Sequence, residues 1–175
     1  FLFGASLIYG FFGTTNFTEI SEALGQTREI SLFLIIGVVF VLVSLSLKVS
    51  AAPFHMWTPD VYEGGPAPIA TYLASVSKVA MMALAVRFLL DTALLALPSV
   101  QMLLMVMATL SILIGNMLAL RQSNLKRLLG YSSIAHMGYV LIVVVSIGTA
   151  ADSVSSMYMA VYAFTSIGAF GVVTL

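Results

Sequence analysis

Two lysines stand in this sequence where a strongly apolar chain has few places to put a charge. Lys78 falls near the middle of the run 69–90, within "SVSKVAMMALAVR". An ammonium at a helix centre costs about 2.5–3.5 kcal/mol on insertion, so such residues face a bundle interior or water. Thr71, Ser75 and Lys78 follow i, i+4, i+7 spacing and share one helical face. That face is small and hydroxylated, suited to hydrating or hydrogen-bonding an ammonium. The spacing is compatible both with a proton- or ion-handling lysine and with one neutralised by a fixed partner.

Lys48 comes late in the run 30–52, with Ser44 four residues before it on the same face. Serines at 44, 46 and 50 loosen the helix here, and Pro53 ends it by removing a backbone donor and pushing Ala52 out of helical conformation. "FHMWTPDVY" is amphipathic and can resume as a short helix. A charge beside a broken helix fits an ion site of the transporter kind. It fits equally a lysine that snorkels to the interface.

His136 shares a face with Ser132 and Tyr139 at i, i+4, i+7 in a span otherwise reading "VLIVVVSI". Hydroxyls and an imidazole in line can pass protons, and the same cluster can serve as polar glue between helices. His55 titrates near neutral pH in its ordinary state; beside Trp57 it also suits an interfacial aromatic belt.

The remaining charges need no such reading. Arg87 lies one turn from a helix end and can snorkel, Asp91 falls in a connection, and Glu19, Glu22, Arg28 and Glu29 read as solvated. The methionines of "SVQMLLMVMATL" and "VAMMALAV" read as packing bulk.

Composition sets the frame that must position these groups. The chain is 61% hydrophobic and 8% charged, with net charge zero and no cysteine. That balance belongs to an integral membrane protein. It offers no basic footprint for nucleic acid, and disulfides, thiolate metal sites and cysteine nucleophiles are excluded. There is no phosphate-binding glycine loop, and the two histidines lack metal-ligand spacing.

Apolar runs predict helices over about 1–13, 30–52 (continuing to about 62), 69–90, 99–120, 131–148 and 156–175. Long runs without strict alternation favour an all-α bundle over a barrel. Arg121, Lys126 and Arg127 place connection 121–130 on the cytoplasmic side, and helix counting puts residues 48–68 there too. Connections 14–29, 91–99 and 148–156 then face the other way; the first of these has room for a surface helical turn. "FLFGASLIYGFFG" carries no charged n-region, and "SIGAFGVVTL" stops inside an apolar run, so the sequence reads as one transmembrane domain, an internal piece of a longer membrane subunit.

"LKVSAAPFHMWTPDVYEGGPAP", "SVSKVAMMALAVR", "GNMLALRQSNLKRLLGYSSIAHMGY" and "SIGAFGVV" together resemble the antiporter-like membrane subunits of bacterial NADH:quinone oxidoreductase (respiratory complex I), and within them the subunit N family. The resemblance covers nearly everything from about residue 30. "WTPDVYEG" stands where sibling subunits usually carry a "W-L-P-D-A-H" version. The resemblance implies a subunit of about fourteen helices with two inverted five-helix repeats, each with one interrupted helix. This chain then covers the end of helix six to the start of helix eleven. It makes Lys48 the lysine of the interrupted helix, Lys78 the central lysine of the next, and His136 a member of the polar axis of the membrane arm. A glutamate partner and a further lysine would fall outside these residues.

The implied activity is proton translocation driven by electron transfer from NADH to quinone. The implied NADH, FMN, Fe–S clusters and quinone belong to other subunits, with no cofactor or metal held by this chain. Its partners would be neighbouring membrane-arm subunits, lipid and protons in a bacterial inner membrane, with no nucleic acid. A subunit of a multisubunit cation/proton antiporter, or a non-conducting scaffold of the membrane arm, is the alternative.

Overall fold

The computed structural model describes residues 1–26, 31–147 and 150–173. Arg28 and Glu29, the first residue of the expected run 30–52, and the last residues of 131–148 and 156–175 lie outside them. Among the described residues the chain is all helix and turn: α1 (Leu2–Phe12), α2 (Phe17–Gln26), α3 (Leu32–Val49), α4 (Trp57–Gly64), α5 (Ala67–Tyr72), α6 (Lys78–Asp91), α7 (Pro98–Ala119), α8 (Leu125–Ile147) and α9 (Ala151–Val173). A π-helical segment, Leu73–Ser77, joins α5 to α6 without interruption, and a 3₁₀ turn, Leu94–Ala96, precedes α7. Among the described residues five helical runs are long and apolar enough to cross a membrane: Leu32–Val49, Ala67–Asp91, Pro98–Ala119, Leu125–Ile147 and Ala151–Val173. The chain is a multi-pass membrane protein with an α-helical bundle fold.

Helix ends extend beyond the apolar runs wherever a polar cap supports them. α8 begins six residues ahead of position 131 because Asn124 Oδ1 accepts the backbone N–H of Lys126 at 2.9 Å. The segment after Thr14 forms a ten-residue helix and not a single turn. Asn16 Oδ1 caps the N–H of Thr18 at 3.0 Å, and Glu19 reaches back to Asn16 Nδ2 at 3.3 Å. Ile20 and Leu24 bury the inner face of that helix.

α7 packs closely on α8. A Cβ on Gly115 would stand 2.7 Å from the Ala135 nitrogen and 2.9 Å from the Tyr131 oxygen, so only hydrogen fits at that crossing. Small residues that let backbones touch are how helices associate where lipid removes the hydrophobic incentive. α3 packs against α1 and α6, α4 against α8, and α9 against α5, the π segment and α6.

The interruption between α3 and α4 is closed by named hydrogen bonds. Ser50 takes the left-handed conformation (φ 65°), and the Ala51 N–H donates to Ser46 O at 2.9 Å, a Schellman-type end. The Ala52 N–H donates to Ser111 Oγ of α7 at 2.8 Å. Trp57 Nε1–H donates at 2.9 Å to the Leu47 carbonyl, which also accepts the Ser50 N–H at 3.3 Å, and Thr58 Oγ1 bonds Ser50 Oγ. Protein groups thus satisfy the backbone that the break leaves outside a helix.

Candidate functional site

Lys78 is fully buried at the start of α6. Its Nζ donates to Ser133 Oγ of α8 at 2.5 Å, and no carboxylate among the described residues pairs with it. The ring of Tyr62, on α4, lies with its centroid 5.5 Å from Nζ, close enough for a cation–π attraction. Ser133 Oγ is in turn 2.6 Å from the Tyr162 hydroxyl of α9. Residues of α4 and α8 thus meet the ammonium, and α9 reaches it through Ser133.

The polar line continues along α8. His136, three residues on from Ser133, has its ring 5.3 Å from that of Tyr162, and its Nδ1 is 2.6 Å from the Tyr158 hydroxyl. Tyr139 meets the His136 ring edge-on at 5.7 Å, and its hydroxyl accepts from Asn116 Nδ2 at 3.2 Å. Ser132, Ser133, His136, Tyr162, Thr165 and Ser166 line a cleft of about 180 Å³ between α8 and α9, large enough for several waters. Lys78, Ser133, Tyr162, His136 and Tyr158 therefore follow one another as a string of polar, protonatable side chains, of which Ser133, His136 and Tyr162 border the cleft.

Among the residues singled out by spacing, Lys78 and His136 belong to this string, while Ser132 and Tyr139 flank it. Thr71 and Ser75 do not supply Lys78 with its partner. Their hydroxyls donate to the carbonyls of Ala67 and Thr71 one turn back, at 2.8 and 2.6 Å. The π segment inserts one residue between them and Lys78, which rotates α6 relative to α5.

Lys48 sits elsewhere. It is exposed in the last turn of α3, where a cation complements the helix dipole, and it has no hydrogen bond or ion pair among the described residues. Ser44 bonds the Phe40 carbonyl at 2.9 Å. Pro53 is exposed in the interruption; His55 is half-buried there with an unpartnered Nδ1, and burial holds its imidazole below the ordinary value of 6.5. Arg87 is exposed and pairs with Asp91 at 3.4 Å.

Ser133, Tyr162, Tyr158 and Tyr62 are the site residues that spacing along one helix missed. Each joins through a contact between helices distant in sequence. The signal that existed was the doublet Ser132–Ser133, since two adjacent hydroxyls cover neighbouring faces.

Such an arrangement defines a helical membrane protein that carries protonatable side chains across helix interfaces. The model of the NADH:quinone oxidoreductase/Mrp antiporter transmembrane family matches residues 1–175, and the chain belongs to that family. It is 74% identical over 174 residues to NADH-quinone oxidoreductase subunit N of Psychrobacter arcticus, covering 99% of this chain and 35% of that protein. Subunit N of Acinetobacter baumannii is 46% identical over 175 residues, with 99% and 35% covered. The chain thus spans about a third of the length of the curated relatives it matches. Among solved structures, a chain of respiratory complex I from Thermus thermophilus superposes with a TM-score of 0.78 at 34% identity, covering 98% of this chain and 36% of that one. A chain of the membrane-bound sulfane sulfur reductase, an archaeal respiratory membrane complex, gives 0.76 at 27%, with 97% and 34% covered.

Proposed function

We propose that the chain is one transmembrane domain of a proton-translocating, membrane-arm subunit of a bacterial NADH:quinone oxidoreductase, seated in the inner cell membrane beside other subunits of that arm. The observation that carries this reading is Lys78, fully buried, hydrogen-bonded to a hydroxyl and free of any ion pair among the described residues. A scaffold needs no such residue, and a lysine placed there costs about 2.5–3.5 kcal/mol. Taking an ammonium out of water disfavours its charged form, and a carboxylate nearby favours it. A partner that approaches or withdraws therefore switches a buried lysine between loaded and unloaded.

In this reading Lys78 is the central station. Ser133 and Tyr162 can relay its proton by hydroxyl exchange, and His136 with Tyr158 carries the line onward through the α8–α9 cleft. Lys48 is a second station that engages groups outside these residues, with Ser44 and the Pro53 break shaping its helix end and His55 extending the polar line. Thr71 and Ser75 keep the face around the π segment polar; Ser132 and Tyr139 flank the histidine. Moving one charge against the membrane field takes about 2.3 kcal/mol per 100 mV. That work would come from electron transfer between NADH and quinone through FMN and Fe–S clusters in other subunits.

The test is Lys78→Met in the intact complex, with quinone reduction and proton uptake into sealed vesicles measured together. The expected result is a loss of proton transport of about 100-fold per quinone reduced, or a matching loss of both if coupling is tight. Normal pumping with normal turnover would remove Lys78 from its role. The family also includes Mrp antiporters; sodium-dependent proton exchange without NADH oxidation would point to that alternative.

A further inference from the structure

The first turn of α8 grips α4 on the side where Lys78 is closest to the basic loop. Arg127 Nη1 donates to Asp60 at 2.9 Å and to Glu63 at 2.7 Å, two carboxylates one turn apart on α4. Asn124 Nδ2 donates to Glu63 at 2.9 Å, and Lys126 Nζ to the Gly65 carbonyl at 3.3 Å. One turn deeper, α4 lies against Gly130, where a Cβ would stand 3.2 Å from Pro59 Cα and 3.5 Å from the Tyr62 ring. One turn deeper again is Ser133, the partner of Lys78. Residues 127, 130 and 133 thus form a ladder of about 9 Å along the helix axis, from a surface ion pair to the buried ammonium.

Tyr62 is what the ladder positions. It is fully buried on the inner face of α4, packed with Ala70, Ala74 and Phe170, and its ring meets Lys78 Nζ. α4 is eight residues long, too short to hold itself helical in isolation. Its outer face is all polar or exposed, so its docking rests on the buried Thr58, Pro59 and Tyr62 and on the Arg127 clamp.

We propose that Arg127 is a positioning residue for Lys78: its ion pairs with Asp60 and Glu63 hold α4 as a lid that keeps Tyr62 over the ammonium and closes that end of the site to water. The inference rests on the proposed proton role only for its purpose, because the lid itself can be read without any transport assay.

The test places a cysteine at Ala70, beneath the lid and beside Tyr62, in the full-length protein in membranes, with any cysteine outside these residues replaced by serine. The rate of labelling by a water-soluble maleimide is then followed. With Arg127 present the thiol is expected to be protected; Arg127→Gln should speed labelling about fivefold, as suits a partly exposed ion-pair network. Arg127→Lys should restore part of the protection, and the swapped pair Arg127→Glu with Glu63→Arg should restore more. Equal labelling rates across these variants overturn the proposal. If Arg127→Gln does not assemble, ionic strength decides with Arg127 in place: a labelling rate that rises from low salt to 1 M supports the clamp, and a flat one overturns it. Should Lys78→Met pump normally while labelling still follows Arg127, the proton reading fails and the lid stands.

Discussion

The two lysines of this chain occupy opposite kinds of surroundings. Lys78 is fully buried, with a serine hydroxyl of α8 and an aromatic ring of α4 as its neighbours. Lys48 stands on the outer face of α3 beside a broken helix end, without a partner among the described residues. The difference separates a site that this stretch of chain builds for itself from one that it leaves to be completed. At Lys78 the cost of burial is offset by contacts already present. At Lys48 the helix dipole and the interrupted backbone are in place, and no side chain among the described residues pairs with the charge.

The sharpest way to break the contrast is to disturb the wall behind each lysine. Gly115→Leu should push α7 off α8, the helix that presents Ser133 and His136, because the obstructing atoms are backbone. We expect a loss of about 3 kcal/mol, seen as a fall in thermal midpoint of the purified protein. Ser44→Leu, on the half-open face near Lys48, should leave that midpoint within about 0.5 kcal/mol.

Ser133→Ala comes next. It strips Lys78 of its hydrogen bond and leaves a charged donor buried, an expected cost of about 1–3 kcal/mol by denaturant or thermal unfolding. A neutral outcome would mean that water already bonds the ammonium. Lys48→Gln should alter stability by less than about 0.5 kcal/mol, and a larger drop would reveal a partner from the rest of the protein.

The smallest effect concerns acid. Arg127 hydrogen-bonds Glu63 and holds its carboxyl below the ordinary value of 4.5. A carboxyl depressed in the folded state stabilises above its unfolded value and loses that contribution as pH falls through the folded one. Amide exchange over Trp57–Gly64, corrected for its intrinsic pH dependence, should therefore stay flat above pH 4.5 and rise below it. The amides around Lys48 should show no such step.

What could be read from the sequence divides along the same line. Apolar runs were enough for the helical bundle, and Pro53 marked a break, although α3 ends earlier, at the left-handed Ser50, where no proline signals it. Lys78 and His136 stood out because charge and imidazole are costly in apolar runs. Their partners did not. Ser133, Tyr162 and Tyr62 come from helices 55, 84 and 16 residues away from Lys78 in number, and no periodicity within one helix encodes which face another presents. The π segment was equally silent, since an inserted residue leaves hydropathy unchanged while turning every face that follows it. Counting i+3 from Ser75 across it therefore points Lys78 toward the wrong neighbours.

The indole–carbonyl bond across the break has a practical consequence. Trp57 is the one tryptophan in this sequence, and its N–H donates to the Leu47 carbonyl in the last turn of α3. Indole emission shifts with its hydrogen bonding and its exposure to water. The hinge between α3 and α4 thus carries its own optical gauge: a change in angle between the two half-helices would register as a change of colour, with no label attached.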